Sequence, residues 1–237
     1  MFKKNAIAFT LVTLIVFAFG QVVKSNNFVD CGILDINNIA EYNRKEFQFD
    51  TIFNKTDTAG FVKYKTEYVD DLQNAEIIAI VKPTGNIEQY YCNLWQEVVI
   101  DRIIKGDKSL EGITTRLADT GGYSYYHIGE INGKARGNNL YYVDVRNIMQ
   151  PDNEYLVFFD RILLDKYVDK NSLFNLHPTL FNYIKLNSVE NDYIISDVAT
   201  KYYLEDLLEY EFFCTSKECL EAMYEIKKEI IKKYLNQ

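Results

Sequence analysis

A tyrosine-rich segment contains the candidate ligand-binding residues of this sequence. Tyr123, Tyr125 and Tyr126 lie together with His127 in a connection that also carries several glycines. Aromatic rings with a polar edge are typical of surfaces that stack on a sugar or a peptide. We therefore interpret these four residues as candidates for ligand binding. The alternative is a surface loop in which the tyrosine rings pack on one another.

The two histidines, His127 and His177, are the candidates for acid–base chemistry. The sequence contains no Gly-x-Ser-x-Gly, His-Glu-x-x-His or calcium-loop pattern. Neither histidine lies at metal-ligand spacing from a cysteine, so we expect no metal centre and no cofactor. The sequence therefore predicts a non-enzymatic protein without catalytic residues. An extracytoplasmic hydrolase that uses His127 or His177 is the alternative.

Four cysteines are the remaining chemically reactive residues: Cys31, Cys92, Cys214 and Cys219. An even number of cysteines in an exported chain favours disulfides. Thr215 and Glu218 fit a capping box, with Thr215 as the N-cap and Glu218 at N3. A helix that begins there places Cys214 and Cys219 at the two positions that a hydrophobic staple brings together. The sequence predicts a Cys214–Cys219 disulfide and, by elimination, a Cys31–Cys92 disulfide. Four free cysteines are the alternative.

The N-terminus has the layout of an export signal. Lys3 and Lys4 precede an apolar run over residues 6–20, which ends in small residues suited to cleavage near Gly20. We expect residues 1–20 to be a signal peptide. If they are not cleaved, residues 5–23 are just long enough for a membrane anchor, and only then do we expect membrane contact. The protein is therefore predicted to be extracytoplasmic, either secreted or anchored to the membrane.

The charge balance excludes one class of partner. The 237 residues include 34 acidic and 26 basic side chains, which gives a formal charge of −8. Removal of residues 1–20 would take away two lysines and no acidic residue, and the charge would become −10. A surface this acidic repels phosphate backbones, so we expect no nucleic-acid partner. The 48% apolar content is sufficient for a folded core.

The middle of the chain is rich in predicted strands. These strands lie at residues 75–82, 95–104, 113–117, 140–145 and 154–164. Residues 83–86 (PTGN) have a composition typical of turns and are expected to end the first strand. Residues 182–187 and 192–198 are expected to form a hairpin. Short strands without intervening helices indicate an antiparallel barrel or sandwich.

The last part of the chain changes to helical periodicity. Apolar residues share one helical face within residues 203–212, and the spacing continues through Leu220, Met223, Ile226 or Lys227, Ile230 and Tyr234. Lysine pairs at 227–228 and 232–233 suit the last turns of a helix, where positive charge meets the negative end of the dipole. We predict C-terminal helices that cap a β domain.

Several segments resemble a known family. Residues 71–81 (DLQNAEIIAIV) resemble the segment that opens the barrel in exported bacterial domains similar to tissue inhibitors of metalloproteinases. Residues 98–107 (VVIDRIIKGD) match the second strand and its Lys-Gly turn, and the glycine pair at 121–122 and residues 154–159 also fit. The resemblance covers about residues 71–165. It implies the five-stranded antiparallel oligonucleotide/oligosaccharide-binding (OB) barrel that this family shares with netrin-like modules.

The resemblance does not imply protease inhibition. Inhibitors of this family require a cysteine at the mature N-terminus, whereas Cys31 would lie about ten residues inside the mature chain. The predicted organisation is a signal peptide or anchor (1–20), an N-terminal extension without assigned structure (21–70), an OB-like β-barrel with a hairpin (71–200) and a C-terminal helical cap (201–237). We expect a binding or interaction module for an envelope or extracellular protein or a glycan. A protease inhibitor is a further alternative.

Overall fold

The computed structural model describes residues 38–49, 52–90, 93–118, 123–125, 140–142, 144–161, 173–187 and 190–235. In chain order the described strands are β1 (Glu46–Phe49), β2 (Ile77–Tyr90), β3 (Asn93–Lys105), β4 (Thr114–Ala118), β5 (Tyr123–Tyr125), β6 (Leu140–Tyr142), β7 (Tyr155–Arg161), β8 (Leu173–Leu176), β9 (Tyr183–Lys185) and β10 (Tyr202–Tyr203). The described α-helices are α1 (Ile39–Asn43), α2 (Thr58–Asp71) and α3 (Lys217–Leu235). All of these elements belong to the unit formed by residues 34–237.

Five strands close a barrel in the order β2-β3-β4-β8-β7, and β7 returns to pair with β2. The predicted class, mainly β with an OB-like barrel and α structure at the C-terminus, is confirmed. Its antiparallel detail is only partly matched, because β4 and β8 run parallel. The reason is geometric: strand direction cannot alternate all the way around a closed barrel with an odd number of strands. The first three strands form a meander and the last two close it as in the Greek-key OB fold.

β2 and β7 are buried on both faces where they pair with each other. Ile77 and Phe159 belong to the core inside the barrel. Their chain neighbours Ile78 and Phe158 point to the other side and join the core that the barrel shares with the helices. A strand that is covered on both faces needs apolar residues at consecutive positions. This explains why these segments are continuous apolar runs rather than alternating ones.

The predicted turn at residues 83–86 is instead a bulge within β2. The register with β3 shifts between Pro83 and Ile87, so that three residues of β2 lie opposite Glu97 alone. Gly85 lies in this bulge with φ +90°, a conformation that favours glycine. Proline and glycine chemistry suits a bulge as well as a turn, because both interrupt the regular ladder. The strand therefore continues to Tyr90.

A second sheet has the order β10-β1-β6-β5. Its core is aromatic: the rings of Phe47 and Phe49 lie 5.1 Å apart, and Phe49 lies 5.1 Å from Phe213 and 5.9 Å from Tyr142. β1 comes from the predicted N-terminal extension, for which the sequence assigned no structure. It runs parallel to β6 and antiparallel to β10.

The C-terminal cap contains one α-helix among the described residues, rather than helices on both sides of residue 214. Residues 204–207 form a short 3-10 turn, and only α3 has the length of a regular helix. α3 buries the face that the sequence predicts, and both Ile226 and Lys227 lie on it. α2 packs beside α3, and the Tyr234 hydroxyl donates to the Val69 carbonyl at 2.9 Å.

Two further expectations differ from the structure. β9 pairs with β7 rather than forming a hairpin, and residues 192–198 are described without any strand. The N-cap of α3 is Ser216, one residue after the predicted Thr215, because Ser216 Oγ accepts from the Cys219 amide at 3.2 Å. Thr215 instead donates its amide to the Phe53 carbonyl at 2.8 Å. Both differences reflect pairings with residues far away in the sequence.

The predicted signal peptide at residues 1–20 and the alternative anchor at 5–23 lie outside the described residues. Within the described part of the chain, no helix combines the length and the apolar character needed to cross a membrane.

Candidate functional site

The tyrosine-rich segment is described only in part. Residues 123–125 form β5, which pairs with β6 at one edge of the second sheet. The side chains of Tyr123 and Tyr125, and the whole of Tyr126 and His127, lie outside the described residues. The aromatic ligand site predicted there stays a prediction.

His177 is held between carboxylates from two other elements. Its Nδ1 lies 2.8 Å from Asp160 Oδ2, at the end of β7, and its Nε2 lies 3.8 Å from Asp71 Oδ2, at the end of α2. The His177 carbonyl accepts from Asn182 Nδ2 at 2.7 Å. These contacts tie β7, the β8–β9 connection and α2 together. No serine, threonine or cysteine side chain among the described residues bonds to the imidazole, and the alternative of a hydrolase that uses His177 stays a prediction.

Cys214 and Cys219 lie side by side as free, fully buried thiols. A hydrogen bond with Cys219 lowers the pKa of Cys214, and the same bond together with burial raises the pKa of Cys219. The pair therefore has the proximity that the predicted disulfide requires, and the bond itself stays a prediction. Cys31 and Cys92 lie outside the described residues.

A groove on the outward face of β2, β3 and β4 collects the chain's single tryptophan with four polar side chains. It has a volume of about 230 Å³ and is lined by Asn86, Ile87, Glu88, Trp95, Glu97 and Arg116. Buried and half-buried residues alternate along β3, which places Trp95 and Glu97 outward while Leu94 and Gln96 are buried. Below, these lining residues and their surroundings are called the Trp95 groove.

Strand register brings the groove residues together. Glu88 lies directly across from Trp95 in the β2–β3 pair, and Glu97 lies directly across from Arg116 in the β3–β4 pair. Side chains that lie opposite each other on one face of a sheet are close enough to interact. The bulge in β2 adds Asn86 to the same surface.

Hydrogen bonds and one ion pair orient the polar groups of the groove. Arg116 Nη2 lies 2.8 Å from Glu88 Oε1. Glu97 Oε1 accepts from Thr84 Oγ1 at 2.8 Å and from Asn86 Nδ2 at 2.7 Å. With two carboxylates and one guanidinium, the described lining residues have a formal charge of −1. The arrangement presents an aromatic ring flanked by fixed donors and acceptors, which is suited to binding a small polar ligand.

No family model, curated protein or solved structure matches this chain. The relationship to metalloproteinase inhibitors and netrin-like modules therefore stays a prediction. Function has to be argued from the chemistry of the site, because a barrel of this type supports many functions.

Two larger grooves lack the features of the Trp95 groove. One, of about 660 Å³, lies between α2 and α3 and is lined by residues such as Lys65, Thr66 and Val69. Another, of about 490 Å³, is lined on α3 and on residues 190–192, and its aromatic residue, Tyr224, is buried. Size alone therefore does not select the Trp95 groove. Charged side chains on helices line both of the larger grooves.

The sequence places Trp95 in a strand but gives no reason to associate it with Glu88 or Arg116. Two features of the sequence could have drawn attention to this surface. Trp95 is the only tryptophan, and it begins an alternation in which Glu97 occupies the same face of the strand. The partners on β2 and β4 depend on register, which the sequence did not specify across the bulge.

Proposed function

We propose that this protein is an exported, non-enzymatic binding module whose ligand lies in the Trp95 groove. The observation that carries the proposal is the position of Trp95, half-buried beside an ordered set of donors and acceptors. In OB barrels, ligands bind on the face of the second and third strands and on the adjoining loops. β3 and β4 are the second and third strands of this barrel, and they supply Trp95, Glu97 and Arg116.

The electrostatics argue against the nucleic-acid ligands of many such barrels. Among the described lining residues, Arg116 supplies the one guanidinium; Glu88 engages it, and Glu97 faces it from the neighbouring strand. A phosphate would compete with Glu88 for Arg116 and would approach a second carboxylate. The formal charge of −8 for the whole chain adds to this repulsion. The proposed partner is an extracellular or envelope glycan or protein.

Two parallel screens test the binding proposal: a glycan array and a phage-displayed peptide library, each probed with wild-type protein, Trp95→Ala and Tyr64→Ala. Tyr64 is an exposed aromatic residue on α2, so its replacement is the matched control. We expect ligands that bind wild type and Tyr64→Ala but not Trp95→Ala. Ligands that bind all three proteins equally, or no ligand in either screen, would contradict the proposal.

The export proposal has its own measurement. The protein recovered from its native host should lack residues 1–20, and intact-mass analysis should show an N-terminus at Gln21. A full-length chain in the cytoplasmic fraction would contradict export and would leave the binding proposal to the screens.

A further inference from the structure

We infer that the Trp95 groove binds one uncharged, ring-shaped sugar residue of a glycan. This inference rests on the proposed function and adds the chemical class of the ligand. It follows from the size of the groove, from its charge and from the balance between hydrogen-bond donors and acceptors around the tryptophan.

Size limits the ligand to about one ring. Pockets for drug-sized ligands enclose roughly 300–1,000 Å³, whereas the Trp95 groove encloses about 230 Å³. An indole ring is large, rigid and apolar, and it carries negative charge on its face. The C–H face of a pyranose is apolar and complements such a surface. A groove of this size beside Trp95 therefore accommodates a single sugar unit of a longer chain.

The polar groups match hydroxyls better than ions. Glu97 Oε1 already accepts two hydrogen bonds, and its second oxygen accepts from none of the described residues. Arg116 has five N–H donors, and its Nη2 is engaged by Glu88. A sugar hydroxyl both donates and accepts, so neighbouring hydroxyls can donate to Glu97 and accept from Arg116. These two residues lie directly opposite each other in the β3–β4 register.

Charge disfavours the two ionic alternatives for different reasons. An anionic ligand, such as a uronate or a phosphate, would compete with Glu88 for Arg116 and would be repelled by Glu97. A cationic side chain would be attracted to Glu97 but would have to approach Arg116 on the adjacent strand. Because the Glu88–Arg116 pair places positive and negative charge close together in the groove, an uncharged ligand with hydroxyls complements it best.

The test uses calorimetric titration of the full protein with defined probes. The neutral probes are tetrasaccharides of glucose, mannose, galactose and N-acetylglucosamine, the anionic probe is tetragalacturonate, and the cationic probe is a Lys-Gly repeat peptide. We expect at least one neutral tetrasaccharide to bind. Its affinity should fall at least about tenfold in Trp95→Ala and remain unchanged in Tyr64→Ala. Circular dichroism melting of each variant establishes that it is folded.

A second variant distinguishes the ligand classes. Glu97→Gln keeps a hydrogen-bond acceptor and removes the charge, so binding of a neutral sugar should weaken by less than about fivefold. A cationic ligand should lose much more, since it depends on the charge. If only the Lys-Gly peptide or only tetragalacturonate binds, and binding requires Trp95, the groove is a ligand site but the sugar inference is wrong. If a sugar binds equally to Trp95→Ala, both the inference and the site are wrong. If no probe binds, the sugar inference is wrong, and the two screens decide the proposed function.

Discussion

Lys227 and Glu211 form an ion pair in the interior, and this pair leads to a quantitative prediction. Each side chain is only 7% exposed. Burial lowers the pKa of Lys227, and the attraction of Glu211 opposes that effect. Glu211 also accepts a hydrogen bond from the Lys185 amide at 2.8 Å, at the end of β9. The pair therefore connects α3 to the barrel, and removal of one charge takes this charged partner away from the other in a medium of low dielectric constant.

We expect Lys227→Met to lower the free energy of unfolding by about 3–5 kcal/mol, the range found when one partner of a buried pair is removed. Glu211→Gln keeps an acceptor for the Lys185 amide, so it reports mainly the loss of charge, and its effect should have the same sign. The double variant should lose about 1–3 kcal/mol less than the sum of the two single changes, because the neutral pair leaves no buried charge.

Lys228→Met is the matched control on the next residue of the same helix. Lys228 also pairs with acids, at 2.8 Å from Glu225 and 3.0 Å from Glu190, but it is 52% exposed. Exposed pairs contribute about 0–1 kcal/mol, so this variant should remain close to wild type.

Urea unfolding followed by Trp95 fluorescence measures the four variants and the wild type, and shifts of the midpoint at constant slope give the differences in stability. The reasoning is refuted if Lys227→Met is no more destabilising than Lys228→Met. It is also refuted if the Lys227 and Glu211 changes are additive.

Three further measurements test other parts of the structure. Non-reducing peptide mapping of the purified protein should recover a Cys214–Cys219 disulfide, formed when the two thiols pass two electrons and two protons to a disulfide in the medium; two free thiols after oxidation would contradict the pairing. Gly85→Ala should destabilise by about 1–3 kcal/mol in thermal unfolding, because its φ of +90° is strained for alanine and the new Cβ would lie 3.3 Å from a proline ring. Gly112→Ala, at φ +80° in open space, isolates the strain and should have the smaller effect. Hydrogen bonds from Ser109 lower the pKa of Asp107 from its ordinary value of 3.8. The stability that ionised Asp107 contributes is therefore present above that pH and is lost as the pH falls through the lower pKa of the folded state. Urea midpoints measured in acid should fall less for Asp107→Asn than for wild type.

The sequence predicted the barrel well where local pattern and burial agree. The bounds of β3, β4 and β7 agree with the predicted segments to within about three residues, because β-branched and aromatic residues fill the buried faces of these strands. α2 was missed, since only Phe61 and Val69 are fully buried along it and its apolar periodicity is weak. The predicted end of β2 was wrong because proline and glycine interrupt the regular strand ladder in a bulge as well as in a turn.

The candidate site was harder to predict than the fold. Residues of the tyrosine-rich segment attracted attention because they are adjacent in the sequence. The Trp95 groove depends instead on three strands whose relative register follows from the bulge and from closure of the barrel. Neither feature is visible in a local window, so a site made of Glu88, Trp95 and Arg116 could be recognised only after the strands were aligned.

The second sheet imposes an order on folding. β1 lies between β6 and β10, so Gln48 pairs with Tyr141 and Glu46 pairs with Tyr203. Both contacts close very long loops, whereas β2 and β3 are neighbours in the chain and can pair early. Loop closure of this length is slow and entropically costly. β1, near the beginning of the described chain, can therefore reach its final neighbours only after the part of the chain that contains β10 has been synthesised. The barrel should form before the second sheet.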